Sequence, residues 1–129
     1  MAEFLPKFKP GQSWTSTASA NITGGQLVAV TGDDTVGPAG ADSAAVVGVA
    51  AFDVLAGAVV TVYSPKIAVL NASGAIAAGA LVAAAAAGAV KALAAVTTPT
   101  AADVTNTRGQ IGVALSAASG NRVKVYFTR

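Results

Sequence analysis

The side chains that most often carry out catalysis are absent or poorly placed in this sequence. The chain contains no histidine and no cysteine. A serine or threonine nucleophile would therefore lack its usual base, and neither a disulfide nor a thiolate metal site can form. A lysine could replace the missing base, but no Ser-x-x-Lys pair occurs in a suitable setting. These residues predict a protein that is not an enzyme.

The acidic residues number six and are scattered along the chain: Glu3, Asp33, Asp34, Asp42, Asp53 and Asp103. Paired-carboxylate catalysis needs two acids held across a substrate, and only Asp33 and Asp34 are adjacent. Their setting, Gly32-Asp33-Asp34-Thr35, is typical of a turn. It also lacks the alternating oxygen ligands of a calcium loop. We expect a turn here, and neither a metal site nor a cofactor.

Charge, aromatic content and glycine spacing weigh against nucleic-acid binding. The net charge of +2 is too small to argue for it, and the aromatic residues are too sparse for a base-stacking platform. Gly24-Gly25 precedes a strand-like segment, whereas a phosphate-binding loop precedes a helix. Nucleic acid is therefore not an expected partner.

An internal repeat organises the chain. Two segments share a Gly-Val-Ala phrase, a later glycine and a Val-x-Val-Tyr strand: residues 48–50, 57 and 60–63 in the first copy, and residues 112–114, 120 and 123–126 in the second. The copies are 64 residues apart before the link and 63 after it. A weaker echo relates residues 25–29 to residues 79–83. The repeat predicts two related β-units of roughly forty to fifty residues each.

Alternation of apolar and polar residues predicts most of the strands. It runs through residues 13–20 and is cleanest at residues 122–128, where Val123, Val125 and Phe127 share one face. Further strands are predicted at residues 26–31, 45–51, 58–63, 66–71 and 110–116. Residues 36–42, rich in Gly, Pro and Asp, are interpreted as a connection. Residues 97–107 are expected to be a polar loop in which Thr98 caps a single helical turn.

Residues 75–96 are ambiguous because alanine leads every helix-propensity scale. The repeat favours strands at Leu81-Val82 and at residues 90–96, with a helix over residues 80–87 as the alternative. A membrane span is disfavoured since alanine and glycine insert weakly into bilayers and Lys91 follows closely. We therefore expect no membrane partner, and a membrane protein built on this stretch is the weakest interpretation.

The N-terminal residues 1–12 predict an extended arm, followed by a single β-rich domain over residues 13–129. Pro6 and Pro10 prevent a regular helix. Between and before them, apolar side chains alternate with lysines: Phe4, Leu5, Lys7, Phe8 and Lys9. The arm is either a disordered tail or a segment that orders on a partner.

The composition itself suggests self-association. Alanine supplies 32 residues, and a core of small side chains gains less per residue, at about 0.8 kcal/mol per buried methylene. Contacts between copies would add the missing burial.

The sequence resembles the small capsid decoration (cement) proteins of tailed bacteriophages. The resemblance rests on the N-terminal arm and on short phrases along the chain: residues 22–28 (ITGGQLV), 46–50 (VVGVA), 57–62, 71–79 and 111–115 (IGVAL). It implies a β-rich protein on the outer surface of the virion capsid. It also implies homotrimers at three-fold positions that stabilise the shell, with the major capsid protein as partner and no catalytic residues.

By this resemblance, the capsid-binding residues would be those of the arm and its junction with the domain: Phe4, Leu5, Lys7, Phe8, Lys9 and Trp14. The expected fold is all-β, a small antiparallel β-barrel or sandwich built from two related β-units. A β-rich structural or binding module of a phage tail or fibre is the alternative function.

Overall fold

The computed structural model describes residues 13–128, in which ten strands follow one another along the chain. They are β1 Trp14–Ala18, β2 Leu27–Gly32, β3 Thr35–Pro38, β4 Val46–Ala50, β5 Val59–Tyr63, β6 Ile67–Asn71, β7 Leu81–Ala84, β8 Val90–Ala92, β9 Gln110–Ala114 and β10 Arg122–Phe127. A 3₁₀ turn, Ala86–Gly88, separates β7 from β8, and one helix, α1 (Ala101–Thr107), precedes β9. The all-β prediction is confirmed.

The ten strands form two units of five with the same topology. In the first unit, β1 to β5 close into a barrel in the order β1-β3-β2-β4-β5. In the second unit, β6 to β10 form a sheet in the order β6-β10-β9-β7-β8. When β6 to β10 are matched in turn to β1 to β5, all four strand pairings of the second sheet recur in the first barrel. The repeat in the sequence is therefore a repeat of structure.

The units differ in how completely they close. The first barrel is sealed by a parallel pairing of β1 with β3, at Thr17 with Thr35 and Ala18 with Val36. In the second unit the equivalent contact is a single parallel bridge between Ala72 and Val90. Both positions lie 54 residues after their counterparts, Ala18 and Val36. The second unit is thus the same barrel, held open along one seam.

The interiors repeat as faithfully as the strands. The first barrel encloses a cluster that includes Ile22, Val28 and Val62. Their counterparts Ile76, Val82 and Val125 lie in the larger cluster of the second unit. Strand alternation explains this agreement, because every second side chain of each strand points to the interior. In β10 the inward set is Val123, Val125 and Phe127, as the sequence predicts.

Each Gly-Val-Ala phrase requires its glycine for a steric reason. A Cβ atom on Gly48 would collide with the backbone carbonyl oxygen of Tyr63, and a Cβ on Gly112 with that of Tyr126. Those tyrosines lie on the neighbouring strands β5 and β10. A register irregularity also occurs beside each glycine, between β2 and β4 and between β7 and β9. The strands approach too closely there for any side chain.

The two units meet where the β7–β8 hairpin lies against β2. The Gly88 amide donates to the Ala39 carbonyl at 2.9 Å, and the Asp42 amide donates to the Ala84 carbonyl at the same distance. The Gln26 Nε2 donates to the Ala87 carbonyl at 2.9 Å. A Cβ on Gly88 would come within 2.8 Å of the Leu27 carbonyl oxygen. The run of alanines and glycine is therefore what lets the hairpin approach β2.

This contact corrects the alternative prediction of a helix over residues 80–87. Ala83, Ala84 and Ala85 are buried, and only the three residues of the 3₁₀ turn are helical in any sense. Pairing of β7 with both β8 and β9 overrides the intrinsic helix preference of alanine. Strand β8 ends at Ala92, four residues before the predicted end. Among residues 13–128, no helix is long and apolar enough to span a membrane.

Two further predictions are wrong in detail. The sequence predicts a connection over residues 36–42, yet Thr35–Pro38 form β3. Their low strand propensity is overridden because β3 lies between β1 and β2 and pairs with both. Helix α1 is capped by Thr100 rather than by Thr98. Asp103 stands three residues after Thr100 and completes a capping box with it.

Substituting Gly112 by alanine should lower the free energy of unfolding by about 2–3 kcal/mol, because the added methyl group overpacks against a backbone carbonyl. Gly48→Ala should behave alike. At Gly40 a Cβ would meet no atom within 4 Å, so Gly40→Ala is the matched control, expected within about 0.5 kcal/mol of the unsubstituted protein. Urea denaturation gives all three values. Equal stability of Gly112→Ala and Gly40→Ala would contradict this account of the repeat.

Gly88→Ala should cost about 2–4 kcal/mol, since Gly88 combines a φ of +70° with the close contact on Leu27. Gly79→Ala separates the two effects. Its φ is +83° but no atom lies within 4 Å of its Cβ position, so only backbone strain of about 1–2 kcal/mol is expected. Chemical denaturation of both variants tests whether the hairpin contact adds stability beyond the turn itself. A Gly88→Ala loss no larger than that of Gly79→Ala would show that it does not.

Candidate binding surface

The two units carry opposite charge. Four carboxylates and no lysine or arginine lie between residues 14 and 63, which gives a formal charge of −4. Between residues 64 and 128, five basic residues stand against the single carboxylate of Asp103, which gives +4. The overall charge is small only because these halves cancel. Each unit therefore presents a surface of one dominant sign to its surroundings.

The outer face of the second unit carries an apolar row that crosses four strands. Ile67 of β6 is opposite Tyr126 of β10, which is opposite Val113 of β9, which is opposite Leu81 of β7. Directly opposed residues on antiparallel strands project from the same face of the sheet. Ile67 and Leu81 are 51% and 45% exposed. We call Ile67, Tyr126, Val113 and Leu81 the apolar row.

Basic side chains lie beside the apolar row. Lys124, which is exposed, is opposite Val69. Arg122 lies two residues before Lys124, on the same face of β10. The Lys66 ammonium lies over the Tyr126 ring, 4.5 Å from its centroid, a cation–π contact typically worth about 0.5–1 kcal/mol when exposed. The face combines exposed apolar area with a cationic margin, which is suited to a partner that offers apolar and acidic groups.

Part of the equivalent row of the first unit is covered within the chain. Leu27 and Val49 correspond to Leu81 and Val113, and they are opposite one another in the same way. Leu27 is fully buried and Val49 is 8% exposed, because both belong to the cluster shared with the second unit. Leu81 and Val113 are thus more exposed than their counterparts in the first unit, whereas Tyr63, the counterpart of Tyr126, is 49% exposed.

A cleft of about 500 Å³ lies between α1 and the segment that follows β8. Its charged lining residues are Asp42, Lys91 and Asp103. The Lys91 ammonium donates to the Asp42 carboxylate at 2.8 Å, and the Asp103 carboxylate accepts from the Thr100 amide. All three charges are engaged in local structure. Among residues 13–128, no group of three His, Cys, Asp or Glu side chains is placed to hold a metal.

The sequence-predicted binding residues have different outcomes. Phe4, Leu5, Lys7, Phe8 and Lys9 lie outside the described residues, as does the whole predicted arm. Trp14 opens β1 opposite Val62 and packs, half-buried, on the interior cluster of the first barrel. It therefore contributes to the core, and its part in binding stays a prediction. The division of the chain at residue 12 also stays a prediction.

Sequence reasoning missed the apolar row. Alternation shows that Lys124 and Tyr126 share the outward face of β10, but the strand order is needed to place Ile67, Val113 and Leu81 beside them. The repeat held the only available signal, since Leu81 and Val113 occupy the positions of Leu27 and Val49.

Comparison with known proteins agrees with this architecture. Among solved structures, the chain is similar to the head fiber gp8.5 N base in bacteriophage phi29, with a TM-score of 0.66 and 21% sequence identity over 91% of this chain and 93% of that chain. At this identity the likeness establishes the fold. No curated protein sequence matches the chain significantly.

A model of the phage cement protein family matches residues 8–128. This match covers nearly the whole sequence, both β-units included, and it confirms the resemblance seen in the repeated phrases. The chain therefore belongs to the phage cement protein family and is a structural component of the capsid surface of a phage virion.

Proposed function

We propose that this protein binds the outer surface of the major capsid protein shell and stabilises the phage head, as a homotrimer at three-fold positions and without catalysing a reaction. The observation that carries the proposal is the family match over residues 8–128.

The stabilisation would follow from linkage. A protein that binds the assembled shell but not its dissociated subunits shifts the equilibrium toward the shell by mass action. At a free concentration one hundred times the dissociation constant, each occupied site contributes about 2.7 kcal/mol. Because a shell offers many equivalent sites, a modest affinity at each site is sufficient.

The N-terminal arm is the proposed capsid contact. Its apolar side chains Phe4, Leu5 and Phe8 alternate with Lys7 and Lys9, a pattern that would gain burial and charge pairing on a partner surface. Ordering of such a segment on binding costs entropy that the contacts must offset. The family match starts at residue 8, so the end of this arm is part of what the family shares. Trp14 would anchor it to the barrel.

A second candidate function is the base of a fibre on the head. It is favoured by the structural likeness to a head fiber N base, which covers 91% of this chain. In that role the same two β-units would attach a projecting partner to the shell instead of coating it. The two functions differ in copy number, since a cement protein would occupy every equivalent position on the shell and a fibre base only a few.

A quantitative denaturing gel of purified particles distinguishes the two roles. We expect a band near 12.4 kDa in amounts close to those of the major capsid protein, because each capsid position would hold a subunit. A few copies per particle would favour the fibre base. Absence of the band would refute both candidate functions.

Removing the apolar side chains of the arm, as Phe4→Ala, Leu5→Ala and Phe8→Ala together, should weaken binding to purified heads at least tenfold. Three truncated apolar side chains on a capsid contact would each lose about 1 kcal/mol or more. Lys7→Gln with Lys9→Gln, which keeps the apolar residues, is the matched control and should show a smaller loss that shrinks at high salt. Cosedimentation with heads measures both. Unchanged binding of the triple variant would exclude the arm as the contact.

A further inference from the structure

We propose that a second copy of this chain docks on the apolar row of the second unit and does so with the acidic hairpin between its β2 and β3. Self-association is part of the proposed function, and the inference rests on it. What is added here is which two surfaces meet. Two different surfaces would meet: the outer face of the second unit of one copy, and residues 31–35 of the first unit of the next.

The chain already contains this contact once. Within the molecule, the β7–β8 hairpin of the second unit lies against β2 of the first unit, where Leu27 and Val49 are buried. The equivalent face of the second unit carries Leu81 and Val113, and Leu81 is left 45% exposed. The hairpin equivalent to β7–β8 is β2–β3. Repeating the internal contact between copies would place β2–β3 on the apolar row.

Charge explains why the two hairpins differ in sequence. The internal hairpin is Ala85-Ala86-Ala87-Gly88-Ala89 and meets a first unit that lacks basic residues, whereas the β2–β3 hairpin is Thr31-Gly32-Asp33-Asp34-Thr35. The apolar row is bordered by Arg122, Lys124 and Lys66. An acidic hairpin on a basic margin is a complementary pairing, and such pairing sets which surfaces associate.

The hairpin is built to present its carboxylates. The Ser16 hydroxyl donates to the Asp34 carbonyl at 2.6 Å, and the Thr35 hydroxyl donates to the Asp33 carbonyl at 2.8 Å. These bonds fix the backbone, while neither carboxylate forms a hydrogen bond or ion pair with any residue from 13 to 128. The Arg122 guanidinium and the Lys124 ammonium are equally unengaged there. Val30, 49% exposed at the base of the hairpin, adds apolar area to the same contact.

The arrangement has a consequence for assembly. Because the contact joins two unlike patches, it is heterologous, and repetition around an axis produces a closed ring when the rotation per subunit closes. The opposite charges of the two units, −4 and +4, would then alternate around that ring.

Charge exchange in the full-length chain tests the inference. Lys124→Glu places a like charge opposite the hairpin. It should raise the dissociation constant for self-association roughly 100-fold. Asp33→Lys should do the same from the other side. A mixture of the two variants restores one complementary interface and should recover hetero-association. Arg108→Glu makes the same change in net charge beyond the end of α1, away from the apolar row, and is the matched control that should associate normally.

Sedimentation velocity over a concentration series measures association, and circular dichroism verifies that each variant is folded. Association of both Lys124→Glu and Asp33→Lys at the strength of the unsubstituted chain would overturn the inference, as would a monomeric unsubstituted chain. Loss of association only in the Phe4, Leu5 and Phe8 triple variant would assign the face to the N-terminal arm and also overturn it. Rescue in the mixture supports the inference even if the unsubstituted chain does not bind heads, an outcome that would refute the capsid role alone.

Discussion

The close approach of the β7–β8 hairpin to β2 is the contact on which the rest of the structure depends. It covers Leu27 and Val49, each of which contributes about 1.5–3 kcal/mol when removed from water, and it adds these residues of the first unit to the interior cluster of the second unit. That approach requires a backbone with almost no side chain, because Gly88 lies directly against Leu27. A sequence rich in alanine is therefore the means by which two small barrels become one packed body.

Duplication with divergence explains how similar frames acquire different surfaces. The two units share most strand pairings, the glycines beside the register irregularities (Gly48 and Gly112) and the interior positions. The connection between β8 and β9 is ten residues longer than the connection between β3 and β4. That insertion holds α1 and the cleft beside Lys91. The closed first barrel carries acidic turns, and the open second barrel carries the basic face with the apolar row. The frame is constrained by packing, whereas the faces are free to specialise for partners.

Much of the frame could be predicted from sequence, and the reasons for the failures are physical. Alternation located β1 and β10 because each has one buried and one exposed face, and the repeat correctly favoured strands around Leu81-Val82. Strand β3 was missed because Gly37 and Pro38 have poor strand propensity, which pairing with two neighbours overrides. Sequence alone could not find the apolar row, since its members come from four strands whose order only the fold defines.

Small side chains also link the fold to the role of a cement protein. An interior filled by alanine permits close backbone packing but gains little free energy per residue, so each copy has less apolar burial to rely on than a leucine-rich domain of the same length. Ile67 and Leu81 are apolar residues that remain exposed in the single chain and could still be buried by a partner. In the proposed assembly, these exposed side chains are buried only when copies bind each other and the shell. In the proposed role, the contacts that complete the burial of each copy would also oppose dissociation of the shell.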